Sequence, residues 1–119
     1  MIDDSRPIFV QIAERIAGDI LAGSLAEEEQ VPSTNEMAAF YRINPATVAK
    51  GMGELISAGV LYKKRGIGMF VSAGARARLR SERREAFVEQ YVMPLIHEAA
   101  NLAISPVELR QIIDKESNS

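Results

Sequence analysis

Two helix starts lie close together near the middle of this chain, and they limit the fold more than any other feature. Ser33-Thr34-Asn35-Glu36 has the form of a capping box, in which the serine hydroxyl takes an N–H three residues on and the glutamate reaches back. Asn44-Pro45 opens a second helix with an asparagine cap and a proline at the first helical position, where its missing N–H costs nothing. Only a short helix fits between them, with Met37, Ala38, Phe40 and Tyr41 as its apolar contacts and Arg42-Ile43 as its turn.

The flanking segments extend this pair. Ile8, Ile12, Ile16 and Ile20 recur every four residues, so a first helix is expected from Pro7, at its first position, to Ala22, with Gly23 as its stop. The helix opened at Asn44 is expected to bury Val48, Met52, Leu55 and Ile56 and to end at Gly59. Gly51 and Gly53 inside it weaken a helix by roughly 1 kcal/mol each, which points to tight packing against a neighbouring helix in preference to a DNA-related role. Val60-Leu61-Tyr62 and Met69-Phe70-Val71 read as two strands around a tight loop from Lys63 to Gly68, where Gly66 and Gly68 supply unusual backbone angles. Beyond Arg76 the pattern is helical again, with a kink expected near Val92-Met93 because Pro94 follows. Ser105-Pro106-Val107-Glu108 begins a last helix carrying Val107, Leu109, Ile112 and Ile113, with fraying from Glu116 onward.

This order predicts a mainly α fold with a small β-hairpin: a winged helix-turn-helix over residues 1–73, followed by a short C-terminal helical dimerisation region over residues 74–119. Hydrophobic residues make up 47% of the 119 and charged residues 25%, an ordinary globular composition. There are no cysteines, which excludes disulfides and thiolate metal sites. The start, Met1-Ile2-Asp3-Asp4, lacks the basic region of a signal peptide, and no apolar run approaches membrane-spanning length, so a cytoplasmic chain without membrane contact is expected.

The formal net charge of −2 argues mildly against a nucleic-acid partner. Its distribution argues the other way. Lys63-Lys64-Arg65 is one basic cluster, and Arg76, Arg78, Arg80, Arg83 and Arg84 form another; the acidic run Glu27-Glu28-Glu29 lies well apart from both in sequence. A helix in the major groove presents its N-terminal residues to base edges, and helix N-termini attract phosphate through free N–H groups. A glycine hairpin flanked by cations can approach the backbone or minor groove. Double-stranded DNA is therefore the expected partner. Its candidate contacts are Ser33, Thr34 and Asn35, then Asn44, Ala46, Thr47 and Lys50, then Lys64, Arg65, Gly66 and Gly68 in the hairpin.

From Pro7 to Val71 the chain resembles the GntR family of bacterial regulators. The resemblance rests on Pro7 to Ile12, Ile20 to Leu25, Val31 to Ala38, Asn44 to Val48, Leu55 to Leu61 and Arg65 to Val71, in unbroken order. The Asn44-Pro45-Ala46-Thr47-Val48 segment and the short C-terminal part look like the YtrA subfamily, whose members carry a small two-helix dimerisation region. The resemblance implies that Ser33 contacts phosphate, that Thr47 contacts phosphate or base, and that Gly66 is a wing tip entering the minor groove. It also implies a repressor, controlling a transporter operon. Many members have arginine where Asn35, Pro45 and Ala49 stand, and such arginines read guanine. Without them, Asn35, Asn44, Thr47 and Lys50 carry more of the base reading.

The apolar band in the C-terminal region is too broad for a helix covering one small domain. Phe87, Val88, Tyr91, Val92, Leu95, Ile96, Ala99 and Leu102 are the residues expected to pair two copies into a homodimer. Phe87, Tyr91 and Met93 could instead line a pocket for a small-molecule effector. His97, the only histidine, reads as a packed or capping residue rather than a metal ligand. No cofactor site, nucleophile–base pair or metal cluster is visible, so an enzyme is not expected. The competing function is a winged-helix module that uses the same surface for protein contacts.

Overall fold

The computed structural model describes residues 2–119; Met1, part of the acidic start, lies outside them. The chain is mainly α with one small hairpin. Its elements are α1 (Ile8–Ala22), α2 (Thr34–Tyr41), α3 (Pro45–Ser57), β1 (Leu61–Lys64), β2 (Gly68–Val71), α4 (Ala75–Phe87), a π-helical turn (Val88–Val92), α5 (Met93–Asn101) and α6 (Pro106–Ser117). They form two compact units, Met1–Ser81 and Glu82–Ser119.

In the first unit the isoleucine stripe of α1 becomes one side of a closed core. Ile12, Ile16 and Ile20 pack with Met37 and Ala38 of α2, Val48, Met52 and Leu55 of α3, and Leu61 and Val71 of the hairpin. Gly23 ends α1 in the left-handed conformation, φ +88°. Pro7 stands one position earlier than expected, as the residue before the first helical one. Gly51 meets α1 closely: a Cβ there would lie 2.7 Å from the Phe9 carbonyl oxygen and 3.1 Å from Ile12 Cγ2. Gly53 does not share that role, since nothing lies within 4 Å of its would-be Cβ. Two expected core residues are also solvent-facing: Ile56 lies off the buried face of α3, and Phe40 is 78% exposed at the end of α2.

The hairpin reaches further than its apolar residues foretold. Lys63 and Lys64 belong to β1 and pair with Met69 and Gly68, which shortens the loop to three residues. The polar link before α2 also joins the hairpin. Glu28 N–H donates to Val71 O at 2.8 Å, Val71 N–H to Glu29 O at 3.0 Å and Val31 N–H to Met69 O at 2.9 Å, while Gln30 forms a bridge with Phe70. The acidic run, distant from the basic loop in sequence, therefore lies along the hairpin.

Ala75 and Leu79 of α4 belong to the core of this unit. Arg76 Nε donates to Leu21 O at 3.0 Å and Arg78 Nη1 donates to Ala58 O at 2.9 Å. Two members of the second basic cluster thus cap the C-terminal ends of α1 and α3, where backbone carbonyls lack partners and the helix dipole favours a cation.

In the second unit the kink expected at Pro94 takes the form of the π-helical turn. Proline removes an N–H and crowds the carbonyl four residues back, and a widened turn relieves both. Ser105 Oγ accepts from Glu108 N–H at 3.1 Å and starts α6, which continues to Ser117, past the point where fraying was expected.

Candidate nucleic-acid interface

The capping box at Ser33 is complete: Glu36 N–H donates to Ser33 Oγ and Ser33 N–H donates to Glu36 Oε1, both at 3.0 Å. The Ser33 backbone N–H, then its side chain, holds the Glu36 carboxyl below the ordinary glutamate range. The amides of Thr34 and Asn35 have no hydrogen-bond partner among the described residues. Free amides with the helix dipole behind them are a setting that favours an anion. The Thr34 hydroxyl points the other way, to Met52 Sδ at 3.6 Å, so from Thr34 it is the amide that is available.

The N-terminus of α3 differs. Asn44 Oδ1 accepts from Ala46 N–H at 2.8 Å, and Asn44 O accepts from Thr47 N–H at 2.9 Å. Pro45 has no N–H, so this first turn keeps no free amide for phosphate, contrary to the sequence expectation. What it offers is side chains: exposed Asn44, Ala46 and Lys50, and half-buried Thr47. Lys50 Nζ lies 4.1 Å from the centre of the Phe9 ring, which steadies a long cation on α3.

The hairpin presents Lys63, Lys64 and Arg65 at the surface. Lys64 Nζ rests 4.5 Å from the centre of the Phe70 ring, and that ring stacks on Tyr62 at 5.8 Å. Tyr62 Oη donates to Glu28 Oε2 at 2.7 Å, and this bond raises the phenol's pKa. Gly66 has φ +77° with open space around it, as a tip that must approach another surface requires. Gly68 serves a different end. A Cβ there would lie 2.5 Å from Gln30 Nε2, so its bareness makes room for the Gln30 side chain. Neither Gln30 nor the aromatic rests under Lys50 and Lys64 was singled out from sequence.

Of the residues expected to pair two copies, Phe87, Val88, Tyr91, Leu95, Ile96 and Leu102 are exposed in the second unit. Val92 is half-buried, and Ala99 is only 5% exposed because its own unit covers it. A groove of about 310 Å³ runs between α5 and α6, lined by Leu95, Ile96, Leu109 and Ile113 among others. Among the described residues no group of three metal-ligating side chains stands together, and no helix is long and apolar enough to cross a membrane.

Three helices, a basic hairpin behind the third and unpartnered amides at the start of the second define a winged-helix DNA-binding regulator. The chain belongs to the GntR family: the pattern of the bacterial regulatory proteins of that family matches residues 9–71. It is 28% identical over 113 residues to the HTH-type transcriptional repressor YtrA of Bacillus subtilis, covering 95% of this chain and 86% of YtrA. A crystal structure of a GntR-family chain from Bacteroides thetaiotaomicron superposes with a TM-score of 0.73 at 37% identity, over 93% of this chain and 96% of that one. The DNA-binding domain of AraR, crystallised with its operator, superposes on 60% of this chain and 93% of its own length, with a TM-score of 0.57 and 27% identity.

Proposed function

We propose that this chain is a cytoplasmic transcriptional repressor that binds a palindromic operator as a homodimer. In this reading α3 lies in the major groove, with Asn44, Ala46, Thr47 and Lys50 toward the bases. Ser33 and the Thr34 and Asn35 amides take a phosphate, and Lys64, Arg65 and Gly66 follow the adjacent backbone and minor groove. Asn35 adds a polar side chain beside that phosphate, and Gly68 shapes the tip through Gln30.

The observation that carries the reading is the pair of free amides at the start of α2, set in the same unit as a hairpin with an exposed cationic tip. The C-terminal unit supplies the second copy through its exposed apolar side chains. YtrA-like repressors suggest a transporter operon as the target. One observation favours a protein partner instead: Phe40 stands exposed beside a groove of about 420 Å³ between α1 and α2.

Selection of fragments from a genomic DNA pool tests both. The proposal predicts enrichment of a palindromic motif, including one upstream of the chain's own gene. No enrichment above an unrelated acidic protein would contradict it and leave the protein-contact reading.

A further inference from the structure

Ile67 is the apolar residue at the tip of the hairpin, 64% exposed between two glycines. A branched hydrocarbon in that position gives up the burial that would stabilise it. Its backbone is nonetheless fixed from both sides. Ile67 N–H donates to Lys64 O at 3.0 Å, and Ile67 O accepts from Gln30 Nε2 at 3.1 Å. Gln30 is itself tied to the hairpin by its bridge with Phe70. The neighbours add to the presentation: Gly66 has no side chain to shield Ile67, and Lys64 and Arg65, both exposed, precede it in the chain.

An exposed apolar tip with a held backbone, on a hairpin that also exposes Lys64 and Arg65, suits the minor groove of a DNA duplex. The walls of that groove are sugar carbons, its surroundings are phosphates, and its floor carries a protruding amino group only where guanine stands. Resting on the DNA-binding reading above, we propose that Ile67 is an apolar minor-groove contact that disfavours guanine beneath the wing, with Gln30 as its positioning residue. Phosphate contact by Arg65 supplies affinity; Ile67 supplies sequence preference at positions that α3 does not reach.

The probe is the tightest duplex that the wild-type chain recovers from a random-sequence pool, with its motif-flanking pairs rebuilt as G·C or as inosine·C. These two pairs match in the major groove and differ by the amino group in the minor groove. Wild type is expected to bind the inosine duplex several-fold more tightly. Ile67→Ser is expected to lose about tenfold in affinity with an unchanged salt slope and to bind both duplexes alike. Ile67→Val, which keeps a branched apolar side chain, should retain the preference. Arg65→Ala should lower the salt slope by about one phosphate's worth. Equal binding of the two duplexes by wild type, or an Ile67→Ser variant that matches wild type, would overturn the inference and leave the DNA-binding reading intact. Recovery of no duplex at all would overturn both.

Discussion

In the first unit, Ile12, Val48, Met52, Leu61 and Val71 are sealed from solvent by three helices and a hairpin; in the second, Phe87, Tyr91, Leu95, Leu102 and Val107 stand exposed. The first unit closes because several helices and a hairpin surround one core, and because Gly51 and the Arg76 and Arg78 caps let them approach. The second has the end of α4, a π-helical turn and two further helices, too few surfaces to cover its own apolar band. Charge separates them too. The ten basic residues of the first unit outnumber its acidic ones by one, whereas the second has four basic residues against seven acidic. A self-sufficient unit with cations at its exposed tip is suited to a polyanion. An acidic unit with an open apolar face is suited to another copy of itself.

The two units should differ most in how they tolerate truncation of an apolar side chain. Ile12→Ala should cost the first unit about 2–5 kcal/mol, and Gly51→Ala about 1–3 kcal/mol, because the added methyl meets the backbone of α1. Chemical unfolding followed by circular dichroism checks both. Equivalent truncation at Leu95, an exposed position, should leave unfolding within about 1 kcal/mol of wild type once dimerisation is held constant.

The second unit fails in a different way. Leu95→Asp should weaken self-association by about thirtyfold or more while the helical signal stays intact. Light scattering across a concentration series reads this directly. A dimer that survives in a well-folded variant would move the interface away from Leu95.

Within the first unit, binding and stability should separate. Thr47→Ala should weaken operator binding about tenfold with little change in the unfolding midpoint, as expected for a side chain that the core does not need. Gel shifts and thermal melts on the same preparation check it. The smallest effect is expected at Gly53, where added atoms meet nothing. Gly53→Ala should stabilise α3 by about 0.5–1 kcal/mol, opposite in sign to Gly51→Ala, and paired melting curves would show the difference.

Local chemistry made much of this legible in advance. Ser33, Glu36, Asn44, Gly23 and Gly66 announce caps and turns because those jobs depend on a residue and its immediate neighbours. Contacts across the chain were not announced. Gln30 pairs with residues some forty positions later, and nothing in Glu29-Gln30-Val31 marks it as a hairpin partner. Arg76 and Arg78 look like any solvated cluster until α1 and α3 end beside them. The occupied amides of α3 are hidden for a related reason: an N-cap motif shows that a helix begins, but not how many of its N–H groups the cap consumes.

On the function proposed here, the first unit holds DNA mainly through phosphate. The most direct test is the affinity of the full chain for a pool-selected duplex at 50 and 200 mM salt. Contact of the Thr34 and Asn35 amides with one phosphate and of Lys64 and Arg65 with two more, doubled in a dimer, predicts a loss of about a thousandfold between the two conditions. An affinity that hardly changes with salt would contradict the account.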